Sequence, residues 1–273
     1  MADFTLKVYE RLVRSLIAGG FTFLTFEEYL KNPAEKSVVL RHDVDLLPEN
    51  AFAMAEIEAR LGVVASYHFR IVKQSFDREI VIKIASLGHE IAYHYEDMIN
   101  NTTCRSHDSE VDPIEIFREN LETIRQIAPV KVISMHGNPK SKQDSRDIWK
   151  EHNYSDFGVV CEPYFDIDYS RVLYLTDTGR CWNGDKYNVR DKVRQGFGNT
   201  VGRPLNEIAN FRSTHDLIIS LERKQLPNHL ILNAHPQRWN DKPLLWAKEL
   251  LWQNIKNVVK YFIIVARNYA RKT

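Results

Sequence analysis

The chain has 273 residues, of which 44% are hydrophobic and 27% are charged, a composition typical of a globular protein with a sizeable core. This composition excludes a disordered chain, a collagen-like chain and a small scaffold held together by disulfides. The 37 basic and 36 acidic side chains give a net charge of +1, so the charge predicts no nucleic-acid partner.

The cysteines are odd in number and have no short metal-binding spacing: Cys104, Cys161 and Cys181. Reduced thiols are therefore expected rather than a disulfide framework. Charged residues from Lys7 to Arg14 interrupt the N-terminal segment, and no run of about 20 uncharged apolar residues occurs in the chain. We expect a cytoplasmic protein that forms one domain over residues 1–273.

Short β-branched segments alternate along the chain with segments of helical periodicity. The predicted elements, in chain order, are helix 4–18, strand 37–40, helix 48–60, strand 63–69, helix 76–86, strand 91–93, helix 112–127, strand 130–133, helix 143–151, and strands 158–160, 172–175 and 230–232. This alternation indicates parallel strands joined by crossover helices, in a barrel or an open doubly wound sheet. In both architectures the functional site lies just beyond the carboxyl ends of the strands.

Five of the predicted strands carry a histidine at or near the carboxyl end. These residues are His42, His68, His94, His136 and His235. Because the carboxyl ends of parallel strands meet on one face, the pattern predicts a metal centre or an acid/base centre there. His42 and His68 are expected to lie in the core or behind the ligands, and His89 to make a structural hydrogen bond.

Asp43 and Asp45 are two residues apart, so in extended backbone their carboxylates point to the same side. Two neighbouring carboxylates repel each other unless a cation or a shared proton lies between them. With His94 they form an oxygen and nitrogen ligand set suited to zinc, nickel, cobalt, manganese or iron. The alternative is that one aspartate caps the helix predicted from Pro48, which leaves the other unexplained.

Five segments between Phe23 and Trp239 resemble, in order and in spacing, motifs of the polysaccharide deacetylases of carbohydrate esterase family 4. The segments are Phe23–Leu30, Leu40–Asp45, Leu61–Phe69, Leu87–His94 and Leu230–His235. The GHEIxxH pattern that ends at His94 is the most specific of them. The resemblance implies a distorted (β/α) barrel of about seven parallel strands, and a metal-dependent removal of N-acetyl groups from amino sugars.

The resemblance also implies roles for individual residues. Asp43 corresponds to the general base, Asp45 and His94 to metal ligands, and His235 to the acid that protonates the departing amine. The family's second ligand histidine, four residues after the first, corresponds to Met98, and a thioether is a poor ligand for such ions.

The family's Arg-x-Pro-Tyr motif corresponds to residues 134–139, which contain no arginine. The resemblance therefore implies that the arginine that orients the base is missing. The same segment supplies His136 at a strand exit, and we predict this residue as the third ligand. Glu96 and Asp97 are the alternatives nearer to His94 in sequence.

Together these features predict a hydrolase that uses a divalent metal, with zinc preferred, on an N-acylated sugar or glycan precursor for a surface polysaccharide or O-antigen. Two alternatives stay open. Asp43-Val44-Asp45 also matches the DxD motif of glycosyltransferases that bind manganese and a nucleotide sugar, although this leaves His94 and His235 unexplained. The other is a sugar-binding relative that has lost the metal, as Met98 suggests.

Two segments in the second half of the chain lie outside these motifs. Residues Thr176–Pro204 are rich in Gly, Asn, Asp and Arg, which predicts either a cover over the substrate site or a solvated insertion. Apolar residues recur at helical spacing over Pro243–Lys272, which predicts one long basic helix. That helix is expected to pack across the barrel over 243–262, or to make a peripheral membrane contact, above all through Ile263–Lys272.

Overall fold

The structure, a computed structural model, describes residues 2–100, 112–137, 144–182 and 211–270, with the backbone alone at 99–100 and 259–270. The strands are β1 (Thr22–Phe23), β2 (Ser37–Val44), β3 (Ser66–Phe69), β4 (Glu90–Tyr95), β5 (Ile133–Met135), β6 (Leu173–Thr176) and β7 (His229–Ala234). The α-helices are α1 (Leu6–Ala18), α2 (Phe26–Lys31), α3 (Pro48–Arg60), α4 (Arg78–Ser86), α5 (Asp97–Asn100), α6 (Pro113–Arg125), α7 (Pro163–Asp166), α8 (Thr214–Glu222) and α9 (Pro243–Ala270).

The seven strands form one parallel sheet in the order β5-β4-β3-β2-β7-β6, and β1 pairs with the start of β2. The sheet curls into a distorted partial barrel, which confirms the predicted fold class. Among the described residues, β5 and β6 are its two edges. The register places Asp43 opposite His68, and Arg41 opposite Asn233. The carboxyl ends of β2, β4, β5, β6 and β7 therefore open on one side of the molecule.

Two of the predicted elements differ in type from the structure. The predicted strand 158–160 is wrong: this segment is a loop, beside which Val132 and Cys161 make one isolated bridge. The seventh strand is instead β1, which is too short for alternation to reveal. The predicted helix 143–151 is a 3-10 helix over Ser145–Lys150. Helix α8 is not among the predicted elements, although the capping box of Ser213 with Asp216 marks its start in the sequence.

The main hydrophobic core lies between the outer face of the sheet and the helices. Strand residues such as Leu40 and Val44 pack there against helix residues such as Leu12, Met54 and Phe117. A smaller core fills the inside of the curl and includes Val39, Ala92, Tyr174 and Ile231. Because strand side chains alternate between faces, Arg41 and Asp43 share the inner face with Val39, and His42 belongs to the outer one.

The buried carboxylate of Glu58 lies within the main core, where it accepts hydrogen bonds from several side chains. Tyr67 Oη donates to it at 2.6 Å, His42 Nε2 lies 2.6 Å from it, and Tyr9 Oη also donates to it. Burial raises the pKa of Glu58, but His42, His89 and Tyr67 together outweigh that effect, so this pKa lies below its usual value. The prediction that His42 belongs to the core agrees with this position.

We expect Glu58→Ala to lower the free energy of unfolding by about 3–5 kcal/mol, because it leaves two tyrosine hydroxyls and an imidazole without their acceptor. Urea denaturation followed by circular dichroism measures the change. Glu56→Ala is the matched control, since Glu56 is exposed on the same helix, and it should alter stability by less than about 0.5 kcal/mol. Equal effects of the two variants would contradict a structural role for Glu58.

The prediction of one long helix near the end of the chain is confirmed by α9, which spans Pro243–Ala270. Residues 271–272 lie outside the described part. The described part of α9 contacts the rest of the chain, as expected of a helix that packs across the barrel. Glu249 pairs with Arg180 at 2.6 Å, Asn257 Nδ2 donates to the carbonyl of Gly179 at 3.1 Å, and the Arg180 guanidinium lies 5.0 Å from the ring centroid of Trp246. Leu251 and Ile255 take no part in this packing and are exposed. Within the described residues, no helix has both the length and the apolar character needed to cross a bilayer.

Candidate metal centre

The strand ends bring together the side chains of Asp45, His94 and His136. Asp45 follows β2, His94 lies in β4, and His136 follows β5 and donates its backbone N–H to the carbonyl of Tyr95 at 2.8 Å. One potential ligand atom of each residue lies within 4.8 Å of the others. His136 Nδ1 is 3.2 Å from Asp45 Oδ1 and 3.3 Å from His94 Nε2. These three side chains are called the ligand triad below.

The backbone of β5 determines which nitrogen of His94 faces the triad. His94 Nδ1 lies 2.8 Å from the carbonyl of Ser134, so Nδ1 carries the proton and donates it there. Nε2 then presents its lone pair toward Asp45 Oδ1, 3.8 Å away. Burial lowers the pKa of His94 to about 4, which keeps the ring neutral, the form that binds a metal.

The ligand triad fits a divalent cation. Asp45 Oδ1 is buried and has no hydrogen bond of acceptable geometry among the described residues. Burial would lower the pKa of His136, but the Asp45 carboxylate outweighs that effect and raises it. The space between the three side chains of the triad therefore favours a positive charge. One carboxylate with two imidazoles is a common ligand set for zinc. Asp45 and His136 are each 18% exposed at the side chain, so the triad is reached from solvent on their side.

Asp43 lies behind the triad and is held by two neighbouring side chains. Arg41 Nε and Nη2 donate to its two carboxylate oxygens at 2.7 and 2.9 Å, and Asn233 Nδ2 donates to Oδ2 at 2.8 Å. Burial raises the pKa of Asp43, but Arg41 and the neighbouring histidines together outweigh that effect, so the pKa of this carboxyl lies far below its usual value. Its Oδ2 is 3.7 Å from His94 Nε2.

The expectation that no arginine orients Asp43 is therefore wrong. Arg41 supplies a bidentate contact from the same strand, two residues before Asp43, where side-chain alternation places both on the inner face. The sequence contained this signal in Arg41-His42-Asp43. This signal lies outside residues 134–139, the segment in which the motif resemblance places the arginine.

His235 follows β7 and is oriented by Asp177, which sequence analysis did not identify. The Nδ1 atom of His235 lies 2.7 Å from Asp177 Oδ1, and its backbone N–H donates to Asp177 Oδ2 at 3.0 Å. Trp239 Nε1 also donates to Oδ2 at 2.9 Å, and Arg238 pairs with Oδ1. The Nε2 atom of His235 lies 3.9 Å from Asp45 Oδ2, at the edge of the triad. Asp177 directly follows β6, a strand exit whose position could have revealed it.

The other candidates near the triad have different partners. Glu96 pairs with Arg70 at 2.6 Å, although its second oxygen is 3.9 Å from His136 Nε2. Asp97 accepts a hydrogen bond from Tyr93 Oη at 2.8 Å. Met98 packs against the main core. Neither Asp97 nor Met98 belongs to the ligand triad.

The remaining predictions for this region concern two histidines and the capping alternative. His89 makes structural hydrogen bonds, from the backbone N–H of Ala65 to Nδ1 and between Nε2 and the carbonyl of Ala55. His68 is buried, and neither ring nitrogen has a hydrogen-bond partner among the described residues. The capping alternative is wrong, because Leu47 is the N-cap residue of α3 and no side chain caps that helix end.

The predicted cover over the substrate site, residues 176–204, is described only in its first part. Thr176 ends β6, and residues 177–182 follow it. Residues 183–204 lie outside the described part of the chain.

Comparison with known proteins identifies structural neighbours alone. No family model and no curated protein matches the sequence. A CE4-family pseudoenzyme from Bacillus anthracis, in its wild-type crystal structure, is 16% identical with a TM-score of 0.39 over 81% of this chain and 61% of that one. A mutant of that pseudoenzyme gives 15% identity and a TM-score of 0.40 over 84% of this chain and 64% of that one. The chain thus spans less than two thirds of the length of these neighbours.

Proposed function

We propose that the protein is a metal-dependent N-deacetylase that acts on an N-acylated amino sugar of a glycan precursor. The observation that supports this most is the ligand triad with an ionised carboxylate, Asp43, and an oriented imidazole, His235, on either side of it. Amide hydrolysis needs these parts: a place for a cation, a group that accepts a proton and a group that donates one. The sugar as substrate follows from the motif resemblance.

Asp45, His94 and His136 would hold the metal. A divalent cation there supplies Lewis acidity, which polarises the amide carbonyl and makes water a stronger acid. Asp43, which is held by Arg41 and has its Oδ2 3.7 Å from His94 Nε2, would accept the proton that the attacking water loses. Its fixed position means that no reorientation is needed during the reaction.

His235 acts on the leaving group. Its Nδ1 atom lies 2.7 Å from the buried carboxylate of Asp177, which orients the ring. The Nε2 atom is then free to carry a proton to the amine nitrogen as the C–N bond breaks. Burial raises the pKa of Asp177, but Arg238 and His235 together outweigh that effect and lower this pKa, so Asp177 stays ionised.

The glycosyltransferase alternative has less support from the same geometry. In a DxD motif both carboxylates take part in binding the metal and the nucleotide diphosphate. Here Asp43 makes a bidentate contact with Arg41, and the side chains that meet Asp45 are His94 and His136, which a DxD motif leaves without a role.

The proposal is tested with purified full-length protein, prepared without chelator. Metal content is measured by mass spectrometry, and acetate release is measured from chito-oligosaccharides and from UDP-N-acetylglucosamine. We expect about one metal ion per chain, acetate release from at least one probe, loss of activity with a chelator and recovery with zinc. Release of UDP without acetate would favour the glycosyltransferase, and sugar binding with both bonds intact would favour the inactive relative.

A further inference from the structure

Helix α9 exposes a row of large apolar side chains on the side that faces away from the rest of the described chain. The row, called the outer face of α9 below, consists of Leu244, Leu251, Trp252, Ile255 and Val258. Their exposed fractions are 86%, 66%, 56%, 56% and 57%. The spacing of seven, four and three residues from Leu244 to Val258 places four of them on one stripe of the helix.

The opposite side of α9 is polar and faces the protein. Gln253 and Asn257 are buried there, with Gln253 Nε2 donating to Asn257 Oδ1 at 2.8 Å. Trp246 Nε1 donates to the carbonyl of Asp3 at 2.8 Å. The helix is therefore amphipathic, but its apolar stripe faces away from the protein, whereas the apolar stripe of most surface helices faces the core. An exposed apolar stripe of four helical turns indicates that this side of the helix binds another surface.

The charge of this helix indicates which kind of surface that is. From Pro243 onward the sequence carries the basic residues Lys248, Lys256, Lys260, Arg267, Arg271 and Lys272. The single acidic residue of that span is Glu249, which pairs with Arg180 at 2.6 Å on the protein-facing side. The helix therefore presents an excess of positive charge together with its apolar stripe.

We propose that the outer face of α9 binds the surface of an anionic lipid membrane. An amphipathic helix with apolar residues on one face and lysine or arginine beside them lies in the membrane interface, where it gains both apolar burial and attraction to acidic headgroups. Lys248 is exposed one turn from Leu244 and from Leu251, whereas Lys256 is half-buried and lies toward the protein. A lysine at the position of Lys248 reaches the headgroups while its stem covers apolar surface.

A second copy of the chain fits this face less well. Pairing of two outer faces would bring the Lys248 side chains of both copies together, with Glu249 already neutralised in each copy. Like charges at an interface oppose association. An anionic surface has the complementary charge, and this proposal does not depend on the proposed enzymatic activity.

Co-sedimentation of the full chain with vesicles tests the proposal. The vesicles contain either phosphatidylcholine alone or phosphatidylcholine with phosphatidylglycerol. We expect binding to the vesicles that contain phosphatidylglycerol, weak binding to the neutral ones, and a loss of binding at high salt. The double variant Leu251→Ser/Ile255→Ser should bind about tenfold less, since it removes two apolar side chains from the stripe. Lys248→Glu should lower binding about tenfold by reversing one charge.

The matched control is Ile82→Ser, because Ile82 is 46% exposed on α4, away from the outer face. It should bind as the unmodified chain does, and circular dichroism should show the same helix content for all variants. Absence of binding to anionic vesicles, or equal binding to neutral ones, would overturn the proposal. A dimer in sedimentation velocity that Leu251→Ser/Ile255→Ser converts to monomer, without vesicle binding, would assign the face to a second copy and also overturn it.

Discussion

Asp43→Asn is expected to lower kcat for acetate release by about 10²–10⁴-fold while the metal stays bound, because an amide cannot accept the proton from water. The ligand triad is unchanged in this variant. Asparagine keeps the size of the side chain and one oxygen that can accept from Arg41. Activity on chito-oligosaccharides and metal content by mass spectrometry, measured on the same preparation, check both parts of the expectation.

Two further variants make this result specific. His235→Ala should also abolish acetate release with the metal retained, because His235 is assigned to proton transfer. Asp168→Asn is the control, since Asp168 has an exposed side chain and lies on the loop before β6, and it should leave activity unchanged. Loss of metal from Asp43→Asn would make Asp43 a ligand, and the roles of Asp43 and Asp45 would then be exchanged.

His94→Ala is expected to weaken zinc binding by more than about 100-fold, since it removes a ligand and not merely a group behind one. Asp45→Asn and His136→Ala should have effects in the same direction. Isothermal titration of the chelator-treated chain with zinc measures the dissociation constant. His152→Ala, at an exposed position remote from the triad, should bind zinc as the unmodified chain does.

The third ligand can be tested against the position that the motif resemblance suggests. Met98 packs against the main core, so Met98→His in the His136→Ala background should not restore zinc binding. Restoration would show that α5 turns toward the triad and would contradict the assignment of His136. Unchanged zinc affinity in His136→Ala alone would contradict it as well, and would direct attention to Glu96, whose carboxylate lies 3.9 Å from His136 Nε2.

The strand and helix pattern was largely readable from sequence because it depends on local periodicity. Helix α3 has the predicted bounds, and α1, α4 and α6 begin or end within two residues of them. Short segments were predicted wrongly, because they are too brief to show a period. Strand β1 has two residues, and the apolar segment 158–160 is a loop whose Val160 N–H donates to the carbonyl of Lys131. The fold class was nevertheless correct, since it depends on alternation over the whole chain.

The placement of chemically active side chains at strand exits was also readable, because parallel strands put their carboxyl ends on one side. The roles of Asp43, Asp45, His94, His136 and His235 stay predictions that the variants above test. The sequence did not reveal which side chains hold these residues in place. Asn233 contacts Asp43, and Asp177 contacts His235, across strands that are far apart in the chain.

The sequence by itself determined a parallel α/β sheet with Asp43, Asp45 and three histidines at its carboxyl end, because side-chain alternation and helix periodicity are local properties. Tertiary structure alone decided which exits adjoin, since β2 lies between β3 and β7 in space although β7 is the last strand in the chain. It also decided the orientation of α9. Periodicity shows that a helix has an apolar face but not which way that face points, and here polar contacts such as Arg180 with Glu249 hold the opposite face against the protein.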